Sequence, residues 1–400
     1  MNSTAADHAS TILFVSQYLS RGGASRVTQD LIRFLSASGF RVAYALGSTR
    51  GHLLPLANSC AVYRFKYVTG GRWARLIPHA VELRLKEMWF SSVLRAVKPD
   101  LIYAVTLNQD LMRLISAASV PCVEHVHAVH LDSFTRGHQF IELLGSFADH
   151  YVASSPAVER RLLYSVGVPR ERVSVLRNGI DVGRLQGGRD HGSEVRSRLG
   201  FRQDEVLVGA VGGLDFVKGP DRFLRVAAAV RDLGLAVPLR FLWIGAQETS
   251  EVALARGLRQ LIAGLEAQGL VTFVPYADEI APLLEALDIL VVPSRAESLP
   301  LVMLEAMALS KPVVAFPVGS IAEVLECGGG MVTRGHDPAE MAKRVAELAS
   351  DPELRSGIGS QARVNVTANH DSRELHAPFR ELIVSVLAEH RRLKSTRRAR

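Results

Sequence analysis

The sequence has no long apolar segment, few cysteines and no recognisable secretory start. No apolar run approaches the roughly 18 residues that a membrane-spanning helix requires. The N-terminus carries Asp7 before any lysine or arginine and lacks an apolar stretch, so we expect no signal peptide. Three cysteines, far apart in sequence, favour neither a disulfide framework nor a metal site. These absences predict an unprocessed cytoplasmic protein that does not span a membrane.

Acidic residues are missing from the last ten positions, where basic residues are concentrated. The net charge is +7. Six basic residues form the tail: Arg391, Arg392, Lys394, Arg397, Arg398 and Arg400. Such a tail can end a helix in solvent, dock on anionic lipid or bind nucleic acid. No nucleic-acid motif accompanies it, so we expect no nucleic-acid partner and leave the first two interpretations open.

Short runs of Val, Ile, Leu and Phe alternate with helical segments, which predicts parallel sheets covered by helices. The length of 400 residues favours two domains, because domains usually contain about 100–200 residues. The predicted strands are 11–15, 41–45, 101–105, 122–126 and 151–153, and then 206–211, 240–244, 271–274, 289–292 and 312–315. The predicted fold class is therefore α/β, with two Rossmann-like doubly wound parallel-sheet domains in tandem.

The stretch from Gly183 to Ser197 lies between the two series of strands and is rich in glycine and polar residues, which suits a linker. We therefore assign 1–185 to an N-terminal domain and 186–370 to a C-terminal domain. Residues 371–400 form a C-terminal helix and the basic tail. The apolar residues of this C-terminal helix recur at helical spacing, which predicts that the helix docks on one of the domains, with the N-terminal domain as the candidate.

Glycines follow the first strand of each series, at the sheet edge where open α/β sheets bind ligands. Gly22 and Gly23 precede a helical pattern from Val27, and Lys218 precedes a helix starting near Pro220. Glycine lets a ligand approach the backbone, and a helix N-terminus with a lysine attracts phosphate. An ordinary turn and a solvated lysine fit these patterns equally well when each is taken alone.

The strongest local pattern follows the apolar strand 289–292 and contains two glutamates. Glu297 is predicted in a loop, and Glu305 lies in a helix that begins near Leu301. A carboxylate about one turn into a helix can accept two hydrogen bonds from a ribose diol. The loop carboxylate can then reach a sugar beyond the diphosphate. This pair predicts a site for a nucleotide sugar.

Over nearly its whole length the chain resembles the retaining glycosyltransferases of family 4, which have the GT-B fold. Five segments carry the resemblance: Gly22-Gly23-Ala24, His127 after a strand that begins beyond Pro121, Asn178-Gly179-Ile180-Asp181, Gly212-Gly213-Leu214 with Lys218-Gly219, and Pro293 to Ala308. The last segment, with seven residues between its two glutamates, is the most specific. The resemblance implies an acceptor-side N-terminal domain that faces a nucleotide-sugar-binding C-terminal domain across a cleft.

Site residues follow from this resemblance by position. It implies that Glu297 contacts the donor sugar and that His127 lies near the transferred sugar, so these two are the predicted catalytic residues. Glu305 would contact the ribose and Lys218 the diphosphate. The predicted donor-binding residues are Gly22, Gly23, Lys218, Arg222, Ser298, Leu299, Pro300, Leu301 and Glu305.

Three positions depart from the family pattern. Gly213 stands where the family usually has arginine, which removes one of two diphosphate cations. Arg222 lies four residues after Lys218, on the same helix face, and is the candidate replacement. Ser25 stands where glutamate is common, a change that bears on acceptor contacts, and Pro300 lacks the N–H that another residue would offer to the sugar.

The sequence suggests neither a metal site nor a cofactor other than the nucleotide-sugar co-substrate, since it contains no Asp-x-Asp triplet. His125, His127 and His130 could be interpreted as a metal site, and strand alternation points the first two to one face. No carboxylate or cysteine partner is evident, so a hydrogen-bonding role for His127 is favoured. Retention of configuration is implied by the resemblance, and no dedicated nucleophile is apparent.

Basic residues and aromatics also interleave between residues 61 and 100, where Trp73, Trp89 and Phe90 occur. This composition suits peripheral contact with the anionic inner face of the cell membrane. The alternative is an ordinary helix whose Leu83, Met88 and Trp89 face the core.

The predicted function is transfer of a hexose from a nucleotide-diphosphate sugar to a glycan or lipid-linked acceptor, in the synthesis of cell-envelope polysaccharide or lipopolysaccharide. A UDP-sugar is favoured over a GDP-sugar. Two alternatives stay open. One is an epimerase of the same fold that acts on the nucleotide sugar itself. The other is a non-catalytic protein that binds sugar nucleotides, which the missing arginine at Gly213 makes conceivable.

Overall fold

The computed structural model of the chain describes residues 10–18, 22–48, 59–65, 78–127, 137–186, 191–246, 262–266 and 268–398. The chain divides into two compact units. Unit 1 comprises Met1–Asn178 together with Arg373–Arg400, and unit 2 comprises Gly179–Ser372.

Unit 1 is built on a parallel sheet of seven strands. They are β1 (Thr11–Ser16), β2 (Arg41–Leu46), β3 (Ala61–Arg64), β4 (Leu101–Val105), β5 (Cys122–Val126), β6 (His150–Ala153) and β7 (Val173–Val175). Their order across the sheet is β3-β2-β1-β4-β5-β6-β7. The strand order reverses between β1 and β4, and the carboxyl ends at such a switch point border the ligand crevice of open α/β sheets.

Helices and two apolar cores flank this sheet. The helices between its strands are α1 (Gly23–Ala37), α2 (His79–Val97), α3 (Gln109–Ser116), α4 (Gly137–Ser146) and α5 (Pro156–Arg161). Successive strand residues point to opposite faces, so Leu13 and Ile102 belong to one core and Phe14 and Tyr103 to the other. Burial on both faces explains why the central strands are almost wholly apolar.

Unit 2 has a parallel sheet of six strands, in the order β10-β9-β8-β11-β12-β13. The strands are β8 (Val206–Val211), β9 (Leu239–Ile244), β10 (Val271–Val274), β11 (Ile289–Val292), β12 (Val313–Ala315) and β13 (Gly330–Val332). Its helices are α6 (Val182–Gln186), α7 (Gly192–Arg198), α8 (Pro220–Asp232), α9 (Ala281–Glu285), α10 (Leu301–Ala308), α11 (Ile321–Leu325), α12 (Pro338–Ser350) and α13 (Pro352–Asn369). The strand order reverses between β8 and β11, which carry the Lys218 and Glu297 loops.

The last helix, α14 (Ser372–Arg398), packs on unit 1. Phe379, Ile383 and Leu387 are buried in the same core as Tyr103. The His376 ring also stacks on Phe34, with the ring centroids 4.3 Å apart. The helix thus follows the predicted apolar spacing and extends beyond it, while the side chains of Lys394, Arg397 and Arg398, and all of Arg400, lie outside the described part of the chain.

The segment predicted as a linker contains α6 and α7, and the division between the units falls earlier, after Asn178. Val182 and Val195 are buried. The Arg196 guanidinium donates to the Ala286 carbonyl at 2.9 Å and to the Asp288 carboxylate at 2.5 Å. These contacts attach the segment to unit 2. Gly187 and Gly188, on which the linker interpretation partly depended, lie outside the described residues.

The predicted α/β architecture is confirmed: all ten predicted strands are present with ends within one residue, and β3, β7 and β13 are additional. No helix among the described residues is long and apolar enough to cross a membrane. In α2, Phe90 is buried and Trp89 packs on Phe65, whereas Met88 is 69% exposed and so does not face the core. Trp73 lies outside the described residues.

Candidate functional site

A charged pair lies at the carboxyl edge of the unit 2 sheet. Lys218 stands in the loop between β8 and α8, and Glu297 stands in the loop between β11 and α10. The Lys218 ammonium donates to Glu297 Oε1 at 2.7 Å, and the Ser294 hydroxyl donates to the same oxygen at 2.8 Å. Lys218 remains 32% exposed, so a ligand can reach it although it is paired.

Glycines let the surrounding loops approach the pair. Gly319 has φ +60°, and a Cβ atom there would lie 2.0 Å from the Glu297 carbonyl oxygen. Only glycine tolerates both the left-handed backbone and that approach. Gly219 has φ +71°, and a Cβ atom there would lie 2.4 Å from the Pro293 carbonyl oxygen. Glycine at these two positions thus allows the loops that carry Lys218 and Glu297 to pack closely against neighbouring backbone.

Helix α10 begins at Leu301 as predicted, with Pro300 as its N-cap residue, and Glu297 lies in the preceding loop. Pro300 provides no side-chain cap for this N-terminus. Because the first N–H groups of a helix carry partial positive charge, the end of α10 attracts an anion. Glu305, one turn further, is buried, so it is not an ordinary solvent-exposed helix residue. Ser298 and Leu299 are also buried and bring the loop against the sheet edge.

Arg222 lies in the first turn of α8, whose N-cap residue, Gly219, has no side chain that could cap the helix. Its guanidinium donates to the Ser294 carbonyl at 3.4 Å and lies 5.1 Å above the Phe316 ring centroid. Burial, and then the nearby Arg295 charge, lower the pKa of Arg222. Within the described part of the chain it has no carboxylate partner. Gly213 has no side chain to offer, so Arg222, which contacts the Ser294 carbonyl, and Lys218, which shares Glu297 Oε1 with the Ser294 hydroxyl, are the candidate diphosphate cations.

In unit 1, α1 begins at Gly23 with Gly22 as its N-cap residue, and glycine has no side chain that could cap the helix. The helix thus starts four residues before the predicted Val27. Ser25 is buried, and its carbonyl accepts a hydrogen bond from the Gln29 side-chain amide at 3.1 Å. The backbone around Gly22 and Gly23 is therefore placed at the carboxyl end of β1.

His125 and His127 point to one face of β5, as the strand alternation predicts, with ring centroids 3.9 Å apart. The Tyr103 hydroxyl is hydrogen-bonded to His125 Nδ1 at 2.9 Å. Both ring nitrogens of His127 are shielded from solvent and have no hydrogen-bond partner among the described residues. Burial lowers the pKa of His127 to about 4, and burial followed by the His127 charge lowers that of His125. Both rings are therefore neutral at pH 7.

The predicted site residues fall into two groups. Gly22, Gly23 and His127 belong to unit 1. The residues that unit 2 brings to one sheet edge are Lys218, Arg222, Glu297, Ser298, Leu299, Pro300, Leu301 and Glu305. His130 lies outside the described residues, and no group of three potential metal ligands occurs among the described ones.

Sequence reasoning missed two residues at this edge. Ser294 precedes Glu297 by three residues in the segment from Pro293 to Ala308, and this short spacing could have indicated the hydrogen bond between the two side chains. Arg295 pairs with Asp221, 74 positions away in sequence, at 2.8 and 2.6 Å. No local pattern could have indicated that contact.

Comparison with solved structures defines the class of fold. The structure of Anabaena HepE in complex with UDP and glucose matches with a TM-score of 0.78 and 24% identity, covering 94% of this chain and 99% of that one. Sucrose-phosphate synthase from Thermosynechococcus elongatus matches with a TM-score of 0.78 and 19% identity, covering 95% and 100%. At these identities the likeness concerns the fold alone, which is GT-B.

Sequence comparison defines the family. The model described as Glycosyltransferase Family 4 matches residues 21–184, and the model described as Glycosyl transferases group 1 matches residues 205–351. Between them these models span most of the chain, which belongs to the family 4 (group 1) glycosyltransferases.

Among curated proteins, the D-inositol 3-phosphate glycosyltransferase of Thermomonospora curvata is 34% identical over 227 residues, or 54% of this chain and 52% of that protein. The protein of the same name from Nocardia farcinica is 33% identical over 220 residues, or 54% and 48%. The chain thus spans about half the length of the curated relatives it matches.

Proposed function

We propose that the chain transfers a hexose from a nucleotide-diphosphate sugar to a glycan or lipid-linked acceptor, with retention of configuration and without a metal ion. The observation that carries this proposal is the Lys218–Glu297 pair at the sheet edge of unit 2, close in sequence to the N-termini of α8 and α10. Family membership supports transfer as the reaction. The UDP in the HepE structure favours a UDP-sugar over a GDP-sugar. A role in cell-envelope polysaccharide or lipopolysaccharide synthesis is part of the proposal.

The leaving diphosphate needs positive charge. As the bond from the anomeric carbon to the phosphate oxygen breaks, electrons pass to the diphosphate and the sugar becomes oxocarbenium-like. Lys218, Arg222 and the N-termini of α8 and α10 are placed to stabilise that negative charge. Glu305 accepts hydrogen bonds from the ribose. Because these groups supply the charge that a cation otherwise provides, the transfer needs no metal.

Glu297 is proposed to bind the sugar and not to attack it. One oxygen already accepts hydrogen bonds from Lys218 and Ser294, which makes that oxygen a weak nucleophile. Retention then follows from attack of the acceptor on the face that the diphosphate leaves, with the departing phosphate taking the acceptor proton. His127, neutral at pH 7, contributes a hydrogen bond near the transferred sugar.

A nucleotide panel tests the donor. UDP, GDP and ADP are added separately while the thermal unfolding of the protein is followed. UDP at about 100 times its dissociation constant should stabilise the fold by about 2.7 kcal/mol, which raises Tm by several degrees. GDP and ADP should shift Tm less. Equal shifts with all three nucleotides, or none with UDP, would contradict the UDP assignment.

Variants assign that stabilisation to the proposed cations. Lys218→Met and Arg222→Met should each reduce the UDP-induced shift, because each removes a charge from the diphosphate site. Arg202→Met is the matched control. Arg202 forms a bidentate pair with Asp204 ahead of β8, at the opposite end of that strand from the site. If Arg222→Met still shows the full UDP-induced rise in Tm, Arg222 does not contribute to the donor site.

We also propose that α2 contacts the cytoplasmic face of the membrane as a peripheral surface. Val81, Arg84, Met88 and Arg95 are exposed and recur at intervals of three, four and seven residues, so they lie along one side of the helix. Apolar and basic groups on one helix face suit anionic lipid.

Binding to vesicles tests this contact. Vesicles with anionic phospholipid should sediment the protein at low salt, and the bound fraction should fall steeply toward 0.5 M salt, where the Debye length is roughly 4 Å. Met88→Ser with Arg84→Ser should weaken binding, whereas changing Arg344 on α12, whose side chain is 40% exposed, should not. Salt-independent binding, or equal binding of neutral vesicles, would exclude the proposed surface.

A further inference from the structure

Arg295 joins the loop that carries Glu297 to the loop that carries Lys218. Its backbone N–H donates to the Val217 carbonyl at 2.7 Å. Its guanidinium donates to the Phe216 carbonyl at 2.8 Å and lies 3.9 Å from the centroid of the Phe216 ring. Arg295 is thus bonded to both residues that precede Lys218.

The same guanidinium is anchored on helix α8. Nη1 donates to Asp221 Oδ1 at 2.8 Å, and Nη2 donates to Asp221 Oδ2 at 2.6 Å. Burial opposes ionisation of Asp221, but the Arg295 guanidinium holds the pKa of that carboxyl below its ordinary value. Only a planar fork with several N–H groups can bond a carboxylate in bidentate fashion and a carbonyl at the same time, so lysine cannot reproduce the arrangement.

The Lys218 loop has little else to hold it. Gly212 and Gly213 begin it, and glycine leaves the unbound backbone with the most conformational freedom. The Phe216 side chain is 69% exposed, so apolar burial contributes little at that position. Besides the Lys218–Glu297 pair, the Lys218 N–H donates to Asp215 Oδ1 at 2.9 Å, a contact within the loop itself. At the start of the loop, the Gly212 N–H donates to the Ile244 carbonyl and the Gly212 carbonyl accepts from the Trp243 indole, both at 2.9 Å. Arg295 therefore supplies the contacts that hold the backbone of Phe216 and Val217, next to Lys218, to the neighbouring elements.

We propose that Arg295 is a positioning residue, which fixes the Lys218 loop so that the Lys218 ammonium faces Glu297 before a diphosphate arrives. The inference rests on the proposed role of Lys218 in the donor site. Arg295 is committed to Asp221 and the Phe216 carbonyl, whereas Arg222 has no carboxylate partner among the described residues. Arg295 hence acts through Lys218 and does not itself bind the diphosphate.

The experiment is a double-mutant cycle on UDP affinity, measured by isothermal titration calorimetry. Arg295→Met should weaken UDP binding about tenfold, the effect expected when a charge-assisted contact is lost. Arg295→Lys should restore little of the affinity, because it cannot bridge the two loops. Arg202→Met removes a similar bidentate pair away from the site and should leave affinity unchanged. In a Lys218→Met background, Arg295→Met should have no further effect.

The outcomes separate this inference from the donor assignment. Wild-type protein that binds no UDP overturns both. If wild-type protein binds UDP and Arg295→Met binds it with the same affinity, the positioning role alone is overturned. The positioning role is also overturned if Arg295→Met lowers UDP affinity equally in the wild-type and Lys218→Met backgrounds, because Arg295 would then contact the ligand directly. If Arg295→Met does not fold, Asp221→Asn tests the same anchor, and its Tm should match that of Arg202→Met while UDP affinity falls.

Discussion

Replacing Glu297 by alanine is expected to lower the rate of sugar transfer by a factor on the order of 10² to 10³, the effect of removing one preorganised polar contact to the reacting centre. UDP binding should persist. Lys218 loses its carboxylate partner in this variant, so its charge becomes more available to the diphosphate. A fall in kcat with an unchanged or tighter UDP dissociation constant is the expected signature. Turnover of the donor and calorimetric UDP binding measure the two quantities.

The control is Glu353→Ala, which removes an exposed glutamate from the first turn of α13. It should leave both quantities unchanged. Unchanged turnover in Glu297→Ala would exclude Glu297 from the site. If wild-type protein converts the donor alone into a second sugar isomer, the epimerase alternative is correct. If wild-type protein binds UDP but neither transfers nor isomerises any sugar, the protein is a non-catalytic binder.

Acidification is expected to destabilise the fold through His127. Its folded-state pKa of about 4 lies below the ordinary value of 6.5, so the unfolded chain binds the proton first. Above pH 6.5 the ring is neutral in both the folded and the unfolded state, so it does not change the free energy of unfolding. As the pH falls from 6.5 to 4, protonation favours the unfolded chain and the folded state loses stability. A difference of that size corresponds to about 3 kcal/mol of unfolding free energy. Denaturant unfolding at pH 7.5 and at pH 4 measures the loss.

His127→Gln stays neutral at every pH and should lose about 3 kcal/mol less stability than wild type between those two pH values. The buried Glu124 carboxyl titrates in both proteins, since burial raises its pKa, and so it cancels in the comparison. His79→Gln is the control, because that ring is 68% exposed. Equal acid sensitivity of wild type and His127→Gln would contradict the buried neutral state of His127.

The three strands that the sequence did not predict share one property: β3, β7 and β13 all lie at sheet edges. An edge strand has one neighbour, so its side chains are only partly covered and it needs no continuous apolar run. In β3, Ala61 is exposed and the other residues are half-buried. The central strands, buried on both faces, carry such runs and were all predicted.

The candidate site was predictable where its chemistry is local. The spacing of Glu297 and Glu305 places one acid before a helix and the other inside it, and α10 begins where that spacing requires. Long-range contacts had no such signal. The need for glycine at position 319 depends on the Glu297 backbone, and Asp221 meets Arg295 only because β8 and β11 are neighbours in the sheet.

The packing of α14 on unit 1 has a consequence for synthesis on the ribosome. Unit 2 is one continuous segment, whereas unit 1 is made of the two ends of the chain. Phe379, Ile383 and Leu387 complete a core whose strands were translated more than 200 residues earlier. Part of one face of the first sheet translated therefore stays uncovered until α14 has been made, although Leu31, Ile32 and Leu35 of α1 already cover another part, while unit 2 can close its own core before α14 is complete.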